Sequence, residues 1–187
     1  MRLDLGLVEL QQGDALSLPY PAATFDRVVS GLVLNFVREQ PCMAAEMARV
    51  ARPGGEVALY VWDYAGRMEL MRQFWSVAIA LDPRAAELDE GCRFPVCRPE
   101  ALRGLFEAAG LADITTRSIE VPTVFRDFDD YWTPFLGGQG PAPTYCMMLP
   151  ENRRAELRER LRDDLPTRPD GSIYLVARAW AVQGRKQ

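Results

Sequence analysis

At 187 residues, with 48% hydrophobic and 26% charged positions, the chain has the apolar content of a compact domain and lies outside disordered and fibrous classes. A formal net charge of −4 and a pI near 5.0 argue against a general nucleic-acid binder, which carries a basic patch. No apolar run approaches the roughly 18 residues of a membrane helix and no signal-peptide layout opens the chain, so a cytoplasmic protein without membrane partners is expected.

Two absences narrow the chemistry. Histidine does not occur, which removes Ser-His and Cys-His nucleophiles and every histidine-ligated metal. The four cysteines, Cys42, Cys92, Cys97 and Cys146, form no C-x-x-C pair, so reduced thiols are expected rather than zinc ligands or a disulfide framework.

In chain order, Leu7 to Gln12 reads as a short strand ending at Gly13-Asp14, followed by a proline-containing loop over Leu16 to Ala23. Phe25 to Gly31 is too short for a helix and reads as a buried strand. A helix over Gln40 to Ala51 places Met43, Met47 and Val50 on one stripe and stops at Pro53-Gly54-Gly55. Val57 to Trp62 is apolar on both faces, as parallel strands require. A helix over Met68 to Leu81 follows, with Met71, Phe74, Trp75 and Ala78 on one stripe. Pro99 opens a further helix carrying Leu102, Leu105, Phe106 and Ala109, ended by Gly110. Ile114 to Val121 reads as a strand, and Asp127 with Asp130 as the opening of a short helix through Tyr131, Trp132 and Phe135. A helix over Glu151 to Leu165 turns Leu157, Leu161 and Leu165 inward and pairs Glu156 with Arg160, and Ile173 to Val182 is the last strand. The alternation predicts an α/β sheet wrapped by helices.

Three segments carry a family resemblance. Gly13-Asp14-Ala15, Leu18-Pro19-Tyr20 and Phe25-Asp26 follow a "G-D-A…L-P-[FY]…F-D" pattern. Val28 to Leu34 precedes a helix ending Glu46-Met47-Ala48-Arg49-Val50, and Ala51-Arg52-Pro53-Gly54-Gly55 precedes the strand from Glu56 to Tyr60. In this order they resemble class I S-adenosylmethionine-dependent methyltransferases of the ubiquinone- and menaquinone-biosynthesis type, clearly over Leu7 to Val61. The resemblance implies a Rossmann-like three-layer sandwich, S-adenosylmethionine as cofactor and a small-molecule substrate.

It also implies site residues. Asp14 would accept a hydrogen bond from the adenine amino group with the Ala15 amide facing the ring, or Asp14 caps a turn. Ser30, Gly31 and Leu32 would lie at the carboxyl edge of the sheet beside the cofactor, where open α/β sheets take ligands, or Gly31 merely ends a strand. Asn35 orients a substrate or faces a helix. No catalytic residue is identified; Asp63 and Tyr64 are candidate bases or surface turn residues. Trp62, Trp75, Tyr131, Trp132 and Phe135 line an acceptor pocket or pack a core. Gly137 to Pro141 reads as a flexible loop, and Arg52 to Gly55 as structural.

The chain departs from the family at its start. The match begins at the family's third strand, and Leu3-Asp4-Leu5-Gly6 only echoes the glycine-rich turn. The expectation is therefore a single partial domain over 1–187, its first two strands absent, with helical insertions at about 65–98 and 122–170. The strand Phe25 to Gly31 then becomes an edge, which invites a homodimer. The readings are a small-molecule methyltransferase whose true start lies upstream and whose activity is not expected of this chain alone, a catalytically silent fragment or interaction module, and an unrelated dinucleotide enzyme of the same general fold, which the missing G-x-G-x-x-G turn disfavours.

Overall fold

A computed structural model describes residues 8–187. Four strands, β1 (Phe25–Gly31), β2 (Ala51–Trp62), β3 (Leu111–Phe125) and β4 (Ile173–Lys186), form one sheet in the order β1-β2-β4-β3. The helices are α1 (Gln40–Val50), α2 (Glu69–Leu81), α3 (Glu90–Arg93), α4 (Pro99–Ala108), α5 (Phe128–Trp132), α6 (Pro141–Met148) and α7 (Glu151–Asp164). This is the α/β class expected, with β1 at one edge of the described sheet.

The chain divides into two compact units. One holds the described residues up to Tyr60 with Leu102–Thr116 and Val182–Gln187; the other holds Val61–Ala101 and Arg117–Ala181.

In the first unit, β1 pairs in parallel with β2, with Arg27 opposite Glu56 and Gly31 opposite Tyr60. Between the Phe25–Ala51 and Arg27–Glu56 pairs the register jumps, so Arg52 to Gly55 bulges out of β2. The sequence predicts a turn here that ends one helix before a strand begins. Instead the strand already starts at Ala51, and the turn is carried as a bulge within it. Gly54 adopts φ 77°, and a β-carbon on Gly55 would lie 2.8 Å from the Arg52 carbonyl oxygen, so both glycines are required by the backbone. Pro41 in the first turn of α1 suits its fixed φ, and Met43, Met47 and Val50 are buried as their spacing predicts. Leu102 and Phe106 bury the inner face of α4.

The second unit has an aromatic core. Phe74 stacks on Phe135 at 4.4 Å and meets Trp75 edge-on at 5.2 Å, while Tyr131 contacts Phe125 and Phe135. The Tyr131 hydroxyl donates to the Leu70 carbonyl at 3.1 Å, which supplies the partner a buried phenol needs. Leu157, Leu161 and Leu165 are buried from the α7 side, as their spacing predicts. Asp127 caps α5, accepting from the Asp130 amide at 2.8 Å.

Several expectations are corrected. Residues 8–12 form no strand; the nearest β feature is an isolated bridge between Asp14 and Ser17. Those residues are exposed, and a strand without a neighbour has nowhere to send its backbone hydrogen bonds. Leu3 to Gly6 lie outside the described residues. Pro141 starts α6, so the glycine-rich stretch before it is a short connection. Glu156 pairs with Arg153 at 2.7 Å rather than with Arg160. The pattern also missed α3 and the turn of helix at Pro83–Glu87, both opened by aspartate caps, Asp89 and Asp82.

Candidate functional site

The first unit carries a groove of about 350 Å³, lined by Ala15, Leu18, Tyr20, residues of β1 and the α1 methionines Met43 and Met47. Val28 and Val29 both line it although successive residues of a strand face opposite sides, so the groove follows the open edge of β1. Of the five expected cofactor residues, the structure brings Ala15 and Ser30 together here; Asp14, Gly31 and Leu32 are not in its lining.

The loop forming one wall is held by α1. Arg49 donates to the carbonyls of Tyr20 at 2.9 Å and Leu18 at 3.1 Å, and Glu46 accepts from the Leu18 amide at 2.8 Å. Glu46 and Arg49 also pair with each other at 2.6 Å. The hydrogen bond from Arg49 holds the Glu46 carboxyl below its ordinary range. The Leu-Pro-Tyr and Glu-Met-Ala-Arg segments of the sequence resemblance are therefore two halves of one clamp, a relation the sequence alone does not reveal.

Asp14 heads this loop. One carboxylate oxygen accepts from the Leu16 amide at 2.9 Å, and the Asp14 carbonyl accepts from the Ser17 amide at 3.1 Å. Asp14 thus caps its own turn, and an exposed carboxylate has acceptor capacity beyond that single bond. The turn role and an adenine role are compatible.

The carboxyl end of β1 is shaped by unusual backbone. Leu32 sits at φ 59°, a left-handed conformation that costs a non-glycine residue about 1 kcal/mol or more, and its amide bonds the Tyr60 carbonyl at 2.8 Å. A β-carbon on Gly31 would fall 2.5 Å from the Tyr60 hydroxyl oxygen, so what approaches Gly31 closely is the ring of Tyr60 from β2. Four residues past Gly31, Asn35 is 6% exposed and its Nδ2 meets no hydrogen-bond partner among the described residues. A buried amide without a partner is rare in folded proteins. The apolar walls of the groove fit a flat ring system, while the Asp14 carboxylate and the Asn35 amide lie outside its lining.

The candidate bases fare differently. Asp63 is buried and its carboxylate is fully engaged: the amides of Gly66 and Arg67 donate at 3.1 and 3.0 Å, and Arg178 donates through Nε at 2.7 Å. It is a fold element, not a free base. Tyr64 packs on Phe94 at 5.4 Å. Trp75, Tyr131, Trp132 and Phe135 belong to the buried core of the second unit. The buried thiols are inert: burial pushes Cys97 up to about 12 and Cys146 to about 11. Among the described residues no group of histidine, cysteine, aspartate or glutamate could hold a metal, and no helix is long and apolar enough to cross a membrane.

Comparison with known proteins finds a family model over the start of the chain and relatives over longer parts of it. Residues 2–59 match the family model described as a methyltransferase domain. The chain is 47% identical over 51 residues to phosphatidylethanolamine N-methyltransferase of Cereibacter sphaeroides, covering 27% of this chain and 25% of that protein. It is 34% identical over 123 residues to demethylmenaquinone methyltransferase of Roseiflexus sp. (strain RS-1), covering 57% and 49%. The chain thus spans about half the length, or less, of these curated relatives. In fold it resembles the YcgJ protein of Bacillus subtilis, with a TM-score of 0.53 at 20% identity over 95% of this chain and 70% of that one. Residues 2–59 are thus similar to a methyltransferase domain, and the fold over nearly the whole chain is similar to that of YcgJ.

Proposed function

We propose that the first unit binds S-adenosylmethionine along the edge of β1 and that the protein methylates a small molecule. The observation carrying this reading is the convergence of Ala15, on the loop clamped by Glu46 and Arg49, with Ser30 in one largely apolar groove. The bound cofactor supplies an activated methyl group, so the protein's task is alignment and exclusion of water. Asp14 accepts from the adenine amine with the oxygen capacity its turn leaves over. Ala15 and Ser30 flank the base, while Gly31 and Leu32 fix the strand end. The relatives named above act on phosphatidylethanolamine and demethylmenaquinone, which points to a lipid-like or quinol acceptor.

The test is calorimetric titration of the purified 187-residue chain with S-adenosylhomocysteine. Micromolar affinity, about 8 kcal/mol, is expected, weakened at least tenfold by Asp14→Ala. A folded sample that releases no heat rejects the reading.

A second reading concerns assembly. Val29, on the edge strand, is 68% exposed, and Phe36 just beyond it is 67% exposed. An open edge with exposed apolar side chains favours pairing of β1 with a second copy, in place of a cofactor along that same edge. Light scattering should then report a dimer that Val29→Lys converts to monomer; a wild-type monomer at high micromolar concentration sinks it.

A further inference from the structure

Asn35 is the polar exception in an apolar run, Leu32-Val33-Leu34-Asn35-Phe36-Val37. It sits in the single turn of 3-10 helix Leu34–Phe36, which begins three residues past the end of β1. That turn has no side-chain cap, so Asn35 is not there to satisfy a helix end. Its side chain is more than nine-tenths buried, and its amide nitrogen has no partner among the described residues. A leucine of similar shape would remove that orphaned donor and bury more apolar surface. Among the described residues nothing in the fold rewards asparagine at this position. The preceding backbone points the same way: Leu32 is held left-handed, and such outliers concentrate where a site must be shaped. Both features lie at the carboxyl end of β1, the end at which open α/β sheets take ligands.

We infer that Asn35 is a cofactor-positioning residue whose Nδ2 donates a hydrogen bond to an oxygen of the bound nucleoside cofactor. The inference rests on the cofactor reading above. Two oxygens of that ligand suit a neutral donor: a ribose hydroxyl and the amino-acid carboxylate. An asparagine kept for a ligand leaves a signature opposite to one kept for folding, because removing it relieves an unpaired buried group while deleting a ligand contact.

The experiment uses the full chain with Asn35→Leu and, in case the larger side chain overpacks, Asn35→Ala. Thermal melting without ligand is combined with calorimetric titration by S-adenosylhomocysteine and by 5′-methylthioadenosine, which lacks the carboxylate. Asn35→Leu should melt at or above the wild-type temperature and bind S-adenosylhomocysteine about tenfold more weakly. Equal weakening toward both compounds assigns the ribose, and weakening toward S-adenosylhomocysteine alone assigns the carboxylate. Affinities unchanged in both variants overturn the inference while leaving the cofactor reading intact. A marked fall in melting temperature in both variants, with unchanged affinity per folded molecule, assigns Asn35 to the fold and also overturns it. Absence of binding by the wild type rejects the cofactor reading itself.

Discussion

The two units use their polar groups in contrasting ways. In the second unit the three buried carboxylates, Asp63, Asp89 and Glu90, are all paired internally. Asp63 is saturated by Arg178 and two backbone amides, Asp89 takes Arg72 at 2.5 Å, and Glu90 accepts from the Trp75 indole. The first unit saturates its loop clamp but leaves an apolar groove along its edge strand, an exposed carboxylate at Asp14 and, past the strand's carboxyl end, the Asn35 amide without a partner among the described residues. Burial depth does not separate the two units, since Asp63 and Asn35 are both buried. What separates them is whether a partner is found among the described residues. Arg72 Nε is also buried without a partner among the described residues, but that guanidinium is held to Asp89 through Nη2, whereas Asn35 Nδ2 is the only amide donor of its side chain and has none.

Substitutions can break this comparison, beginning with the largest expected effect. Phe74→Ala removes the ring at the centre of the second unit's aromatic stack and should cost about 4 kcal/mol in denaturant unfolding. Its affinity for S-adenosylhomocysteine, measured where the protein is still folded, should match wild type. A drop like that of Asp14→Ala would erase the distinction between the units.

Asp63→Ala should cost about 3 kcal/mol, because Arg178 and two amides lose their shared acceptor. If Asp63 were a catalytic base, stability would barely move and only turnover would fall. Gly55→Ala should cost about 2 kcal/mol, since its β-carbon would press on the Arg52 and Asp26 carbonyl oxygens. Here ligand affinity should fall with stability, because the bulge shifts the register of β1 against β2. Intact affinity would separate the bulge from the groove.

The smallest effects lie in pH dependence, with opposite signs in the two units. Glu46 is held below its ordinary 4.5 chiefly by the Arg49 hydrogen bond, so its stabilisation is present above that value and lost as pH falls through the lowered one. The advantage of wild type over Glu46→Gln should therefore be constant above about pH 5 and vanish in acid. Glu90 is raised above 4.5, chiefly by burial, so its charged form burdens the fold at neutral pH. The burden disappears as pH falls through the raised value toward 4.5. Glu90→Gln keeps an acceptor for Trp75 and should melt slightly above wild type at pH 8, with the gain gone near pH 4. Parallel pH curves for the two variants would contradict the contrast.

Much of the architecture was legible in the chain itself. The stripe of Met43, Met47 and Val50, the inward Leu157, Leu161 and Leu165, and the Asp127 cap follow from local spacing, and each took its predicted place. The resemblance to a methyltransferase domain was legible too, because its segments are short, ordered and contiguous with the strand and helix that carry them. Local chemistry and helical or strand period determine such features wherever the chain folds.

Tertiary structure alone decided the rest. Glu46 and Leu18, and Gly31 and Tyr60, are 28 and 29 positions apart, and only folding makes one a clamp and the other a close approach. Asp63 and Arg178 lie 115 positions apart, so nothing near Asp63 in sequence reveals that its carboxylate is already taken. Leu32 looks like an ordinary apolar residue until the backbone places it left-handed, and Asn35 like an ordinary turn asparagine until burial leaves its amide unpaired. Sequence determines which groups are available, and three-dimensional packing determines which of them remain unsatisfied. A ligand is recognised by those that remain.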